Sequence, residues 1–479
     1  MASRSALEGR HRKSARVALY SSLIITGALA AVMVQTLGSA LNRSRLYEAG
    51  IQDWAYVDWA QEPAVRILQD YLRVDTNSRD GSELEGARYL AGVLEEAGIE
   101  VHLEALGEKN ANLWAILEGQ EPGAVVLHNH IDVEPIHRPD RWTYPPFAGH
   151  IDPPWIYGRG VFDMKSLAVA QLMAMLDLKK EGITPRKSLI FLATGSEEIG
   201  SDLGALWVLR QHPDLVERFD VVLTEGGVVE ALDKDQVKYW GTSFAQKQYA
   251  ELIVCSSRAR ELAEIRQMIR DYQLWKPELP IVTDEARTMF ASYYPTRSRE
   301  DYRSKLQDPD ALLVDNRSFK SLPEYLRAML RNEAYPGRVR RTESGFEMII
   351  NIHVLPGLDI ETVRRELVPD WMLWGVDWRL FREPAADHGS PVDHAAFKAI
   401  IEGIQRRYPE ATVGPYFLPR TATDARFYRR LGIPSYGVSP FLILTPDTMT
   451  GNNPDERIAL PAYADGVEMY SQLVEELVR

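Results

Sequence analysis

The apolar positions of this chain change their period several times, and each change predicts a different kind of element. Over 64–74 and again over 84–97 they recur every three or four residues, the spacing of an amphipathic helix, and Gly98 supplies a stop. Short unbroken apolar runs at 112–117, 124–130, 188–194 and 220–224 have the composition of strands buried on both faces. Between them, 164–178 and 204–210 return to a helical pattern. Strands alternating with helices predict an α/β fold, a three-layer domain around a mainly parallel sheet.

From about residue 248 the pattern shifts. A strand at 249–255, a helix at 259–272, a long polar stretch, a strand at 346–355, a helix at 360–367 and a strand near 372–380 form an α+β set of their own. A helix at 395–408 and the run from Thr423 onward then resume the earlier alternation. The reading is one α/β domain in two parts, 46–247 and 381–479, interrupted by a smaller α+β insert, or lid, at 248–380. No internal repeat or low-complexity tract is present.

The first 45 residues differ from everything after them. Arg4, Arg10, Arg12, Lys13 and Arg16 precede 17–42, which carries no charge. About 20 apolar residues suffice for a helix to cross a bilayer. Basic residues ahead of such a run hold the N-terminus in the cytoplasm, so the rest of the chain is expected on the far side, as a single-pass signal anchor. A cleaved signal peptide, with GSA at 38–40 as the cleavage site, is the alternative, and it yields a secreted or periplasmic protein. A buried soluble helix is the third reading.

Composition narrows the partners. A formal net charge of -13 leaves no basic surplus for phosphates, which excludes nucleic acid as a natural ligand. Cys255 is the only cysteine, so neither an intrachain disulfide nor a multi-thiolate metal site can form.

The chemistry sits in four motifs at or just past the ends of strand-like segments: LHNHIDVEP at 127–135, GRGVFDMKS at 158–166, GSEEIG at 195–200 and LTEGG at 223–227. Functional groups of a parallel sheet collect at the carboxyl ends of its strands. His130, Asp163, the pair Glu197 and Glu198, and Glu225 therefore point to one shared site. Imidazole and carboxylates suit Zn²⁺, and one aspartate can bridge two ions through its two oxygens. Two ions about 3.5–4 Å apart activate water and polarise a carbonyl. A further carboxylate must then carry the proton from water to the leaving nitrogen. Glu197 and Glu198 can divide that labour, one as general base and one as ligand. Asp132, two residues beyond His130, is placed to orient that imidazole from behind.

With WTYPPFAGHIDPPWIYGRGVFDMK at 142–165, NIHVLPG at 351–357, TDARF at 423–427 and PDERI at 454–458, these motifs carry a resemblance. From about Ala64 onward the chain resembles the dinuclear zinc exopeptidases and deacylases: aminoacylases, carboxypeptidase S, acetylornithine deacetylase and succinyl-diaminopimelate desuccinylase. The spacing ahead of GRG is most similar to the carboxypeptidase S and secreted N-acyl-amino-acid hydrolase branch. The resemblance implies that His130 and Glu225 hold one zinc, that Glu198 belongs to the other and that Asp163 bridges them. It makes Glu197 the general base and Asp132 the partner of His130. Arg426 becomes a candidate to grip a substrate carboxylate with its guanidinium fork, a structural ion pair being the competing role. The implied activity is that of a zinc hydrolase cleaving an amide bond of a dipeptide or N-acyl amino acid, which the N-terminal segment read above would make membrane-anchored. Co²⁺ or Mn²⁺ are possible replacements, and the insert of such proteins often pairs two copies.

Two positions depart from that pattern. The family places its last metal-binding histidine four residues before the glutamate of the final motif; here Asn452 holds that place before Glu456, and no histidine follows His394. Amide oxygen is a poorer zinc ligand than imidazole, so the second ion is expected to be weak. The insert also lacks the glycine-rich loop histidine that stabilises a developing oxyanion: the strand ending at Cys255 runs into SSRARELAEI. His353 stands where the family has arginine. These losses keep open an alternative, a catalytically impaired member acting as a binding or regulatory module. His128 is expected beside the site, His137 and His150 in loops, and His388 or His394 as a ligand that could swing in.

Overall fold

The computed structural model describes residues 58–232, 237–276, 279–293, 306–382 and 388–479. The expected membrane segment at 17–42 lies outside the described residues. Among those described, no helix is long and apolar enough to cross a membrane.

In chain order the first part supplies strands β1 (Val101–Leu106), β2 (Asn110–Leu117), β3 (Glu121–His130), a short pair β4 (His150–Asp152) and β5 (Trp155–Tyr157), β6 (Lys187–Thr194), β7 (Phe219–Thr224), β8 (Val228–Ala231) and β9 (Val237–Gln246). The insert supplies β10 (Gln248–Ser256), β11 (Glu333–Pro336), β12 (Arg340–Thr342), β13 (Gly345–Val354) and β14 (Asp377–Arg382). The last part adds β15 (Val413–Leu418), β16 (Ser435–Gly437) and β17 (Arg457–Ala459). The central sheet runs β1-β2-β6-β3-β7-β16-β9-β15, with β8 beside β9. Its middle, β6-β3-β7-β16, is parallel, as the apolar runs predict. The β1–β2 and β2–β6 pairs are antiparallel, an edge that the sequence pattern did not separate from the rest.

Helices cover this sheet for reasons visible in their sequences. Glu83–Glu96 starts at Ser82, whose hydroxyl accepts from the Glu85 amide at 3.3 Å, and two glutamates in its first turn complement the helix dipole. It buries Leu84, Ala87, Leu90, Ala91 and Leu94 on one face. Ser166–Glu181 is apolar almost all round because it lies between the sheet and the C-terminal helix Leu460–Val478. It ends at Gly182, whose φ of 67° is the left-handed conformation that glycine adopts without cost.

The insert is an antiparallel sheet, β11-β13-β10-β14, with β12 on β13. The helices Ala259–Trp275 and Ile360–Leu367 pack on it around a separate core that includes Leu252, Ile265, Ile350 and Val363. One expectation needs correction here. The strand expected near 372–380 begins only at Asp377, because Asp370–Leu373 forms a 3₁₀ turn after Pro369. The polar stretch before β11, to which no element was assigned, contains the capped helices Asp284–Ser292 and Asn316–Ser321 among others.

Candidate metal centre

The strand order decides the site. β6, β3 and β7 are adjacent and parallel, so the residues at and after their carboxyl ends, Glu197 and Glu198, His130, and Glu225, meet at one edge. Asp163 reaches the same edge from the turn ahead of the helix Ser166–Glu181, and the Asp163–Met164 peptide is cis.

His130, Asp163 and Glu225 each turn a ligand atom into a space in which all three lie within 4.8 Å of one another. His130 Nε2 is 3.2 Å from Asp163 Oδ1 and 3.8 Å from Glu225 Oε2. Its other nitrogen, Nδ1, donates to the Asp132 backbone carbonyl at 2.8 Å, which fixes the tautomer and leaves the Nε2 lone pair for a cation.

Asp132 was expected to orient His130, with no atom specified. Its backbone oxygen is the atom that does so, with the carboxylate 3.7 Å away. That carboxylate accepts from the Glu197 and Glu198 amides, both at 3.0 Å, so one residue sets the imidazole and the Glu-Glu turn together. Glu83, a residue to which the sequence assigned no role, grips the preceding Ser196 amide at 2.9 Å.

Buried acid groups crowd this edge. Burial first, then the charge of Asp163, pushes the Glu198 carboxyl up to about 9. Glu225 is raised to about 7 by the same two causes, and Asp132 to about 7 by burial. Burial and the Glu225 charge hold Glu197 well above the usual carboxylate range. For His130 burial works the other way, but Asp163 and Glu225 outweigh it and raise the imidazole. Such a set is short of positive charge, and a divalent cation supplies it. The buried Glu198 Oε1 has no hydrogen-bond partner, a second sign that the edge is built for a cation. The donor set therefore fits a metal ion.

The remaining candidates fall as follows. Asn452 donates from Nδ2 to Asp163 Oδ2 at 3.0 Å, so it offers the site a hydrogen bond rather than its amide oxygen. Arg426 is buried, stacks on Phe427 and points toward Glu197, with 4.0 Å between Nη1 and Oε1. Neither His388 nor His394 joins the ligand cluster found among the described residues: His394 caps the helix Ala395–Arg407, accepting from the Ala396 amide. His150 belongs to β4 and stacks on Tyr144, correcting the loop assignment. His128 is buried between the Thr194 and Thr224 hydroxyls, 3.0 Å from each. His353 packs between Tyr249 and Tyr335 in the insert.

Two residues inside the quoted motifs were overlooked. Arg159 is fully enclosed and pairs with Glu456, which also accepts from the Phe162 amide at 2.8 Å. Arg159 left a signal, a charged residue between two glycines in GRG, which is unusual for a solvated face; Glu456, between Asp455 and Arg457 in DERI, left none. Gly160, just ahead of Asp163, has φ +83°, and a Cβ there would come 2.4 Å from Val133 Cγ1. Gly160→Ala should cost on the order of 3 kcal/mol, from backbone strain plus overpacking. Thermal unfolding checks this, and a loss under about 1 kcal/mol would show that the turn relaxes freely.

Comparison with known proteins agrees with this geometry. Residues 126–476 match Peptidase family M20/M25/M40. A probable carboxypeptidase S-like 2 of Dictyostelium discoideum is 38% identical over 103 residues, 21% of this chain and 20% of that protein. A succinyl-diaminopimelate desuccinylase of Bradyrhizobium sp. (strain ORS 278) is 35% identical over 162 residues, 33% of this chain and 41% of that protein. The aligned stretches thus span less than half the length of these relatives. In fold, an M20 family metallo-carboxypeptidase from Sulfolobus solfataricus superposes with a TM-score of 0.64 at 18% identity, covering 86% of this chain and 99% of its own. Human carnosine dipeptidase 1 gives 0.61 at 14% identity, covering 88% and 98%. With the match running through most of the chain and all four ligand motifs, the protein belongs to Peptidase family M20/M25/M40.

Proposed function

We propose that this chain is a metal-dependent hydrolase of an amide bond, in a dipeptide or an N-acyl amino acid. The observation that carries the reading is the convergence of His130, Asp163 and Glu225 within 4.8 Å, beside Glu197, at one end of adjacent parallel strands. A zinc ion held by those three would supply the Lewis acidity that polarises the scissile carbonyl and makes water nucleophilic.

The protein's own groups do the rest. Glu197, fixed by Asp132 through its amide, takes the proton of the attacking water as its oxygen bonds to the carbonyl carbon. The C–N bond then breaks, and Glu197 returns the proton to the leaving nitrogen.

Two cavities flank the centre. One of about 550 Å³ opens beside Glu197 and Glu198 and is lined by Arg426 and the insert's Arg338 and Arg340. The other, about 370 Å³, touches Asp163 and Glu225 and is lined by Phe162, Leu418, Val438 and Phe441. A substrate carboxylate suits the first and an apolar side chain or acyl group the second. In this reading the segment at 17–42 anchors the enzyme to a membrane, and two copies pair through the insert. Trp374 and Trp378, exposed at or near the edge strand β14, favour that pairing.

The purified protein should hydrolyse members of a panel of dipeptides and N-acyl amino acids. A chelator should abolish turnover, and Zn²⁺, Co²⁺ or Mn²⁺ should restore it. No turnover with any of the three added would sink the proposal.

A further inference from the structure

We infer that this centre holds a single tightly bound divalent ion, at His130, Asp163 and Glu225, and that the Asn452 amide fills the position a second ion would need. The inference rests on the metal reading above and concerns how many ions this chain can keep.

Asp163 can join two cations only if each of its oxygens faces one. Its Oδ1 is turned to His130, 3.2 Å away, where the three-residue cluster lies. Its Oδ2 is already taken by the Asn452 Nδ2 donor at 3.0 Å. An N–H group delivers part of the positive charge that a cation would bring, and it stands in the cation's place.

The amide is held so that it cannot turn round and offer its oxygen. Asn452 Oδ1 and its backbone oxygen both face Arg159, at 3.4 Å from Nη1 and Nη2. A guanidinium is always charged and only donates. Flipping the Asn452 side chain would set its NH₂ against Arg159 and its oxygen against the Asp163 carboxylate, two repulsive contacts in place of two attractive ones. Arg159 cannot step aside, because its side chain is 1% exposed and paired with Glu456, itself 0% exposed. The Asn452 backbone is fixed as well: its φ of 56° lies in the left-handed region that asparagine tolerates better than most residues.

Among the described residues of the four motifs, Glu198 is the carboxylate left for a second ion. Its Oε1 is buried and unpartnered, but one carboxylate falls short of the three protein ligands a catalytic zinc ordinarily takes.

The test is a metal count on the full chain. Protein stripped with chelator, reloaded with excess Zn²⁺ and freed of unbound metal by gel filtration should carry one zinc per chain by plasma emission spectroscopy. Titration calorimetry of the stripped protein should show one tight transition. Asn452→His, which removes the donor and adds an imidazole, should raise the count to two with an unchanged unfolding temperature or a higher one. Two ions in the unaltered chain would overturn the inference, and so would one ion in a folded Asn452→His. Should that variant fail to fold, the count and titration of the unaltered chain decide alone. No ion in either protein would remove the metal centre itself, a different failure from a wrong count.

Discussion

Glu197→Gln is expected to lower kcat by roughly a thousandfold while leaving the bound metal and the unfolding temperature unchanged. The substitution keeps the shape of the side chain and removes only its ability to take a proton. The backbone amide at this position still donates to Asp132 Oδ1 at 3.0 Å, so the turn that also carries Glu198 is undisturbed. Glu197 is absent from the cluster of ligand atoms at His130, Asp163 and Glu225, so metal content should be untouched. Its side chain is 11% exposed, open enough to meet a water and buried enough for its acidity to be suppressed. A variant that loses metal along with activity would make Glu197 a ligand instead. One that keeps full activity would move the proton transfer to another group.

Much of this site could be read without coordinates because its chemistry rides on strand ends. An apolar run is a strong signal, and the residue that follows it is placed by the strand itself. That is why His130, Glu197, Glu198 and Glu225 were found together. Side-chain direction is another matter. Spacing located Asp132 behind His130, yet which atom of Asp132 does the work depends on a turn whose geometry sequence does not specify. Asn452 was recognised as standing in a ligand position, but the direction of its amide is set by Arg159, a residue 293 positions away in the chain. The insert was less legible still. Its strands alternate buried and exposed faces, as antiparallel strands do, and the helices Asp284–Ser292, Ala311–Val314, Asn316–Ser321 and Glu324–Ala328 are four to nine residues long, too short for periodicity to register. Buried charged residues escape pattern reading altogether, since hydrophobic periodicity treats them as surface. Arg159, Glu456 and Lys247 all belong to this class.

Lys247 introduces the other large effect, at the joint between the two sheets. It lies between β9 and β10, with a side chain 1% exposed, and donates to Glu333 Oε2 at 3.2 Å. Glu333, on β11 of the insert, also accepts from Arg420, which follows β15, from Arg331 and from the Tyr335 hydroxyl. One carboxylate thus ties the insert to both parts of the α/β domain. Glu333→Gln should destabilise the protein by about 3–5 kcal/mol, because it leaves the Lys247 ammonium and the Arg420 guanidinium facing a neutral group in a largely dry joint. Burial alone would raise the Glu333 pKa; Arg420 and Lys247 outweigh it and bring it down to about 2, from an ordinary 4.5. A pKa lower in the folded chain than in the unfolded one means that folding favours the ionised form. The resulting stabilisation, on the order of 3 kcal/mol, is complete above pH 4.5, shrinks as the pH falls and is gone below about 2. Unfolding by urea across pH 2 to 7 should therefore show a steeper acid loss in the unaltered protein than in Glu333→Gln, with the two curves converging at the acid end. Parallel curves would mean that Glu333 gains nothing from its three cations. A difference that persisted below pH 2 would mean that the variant fails through packing rather than charge.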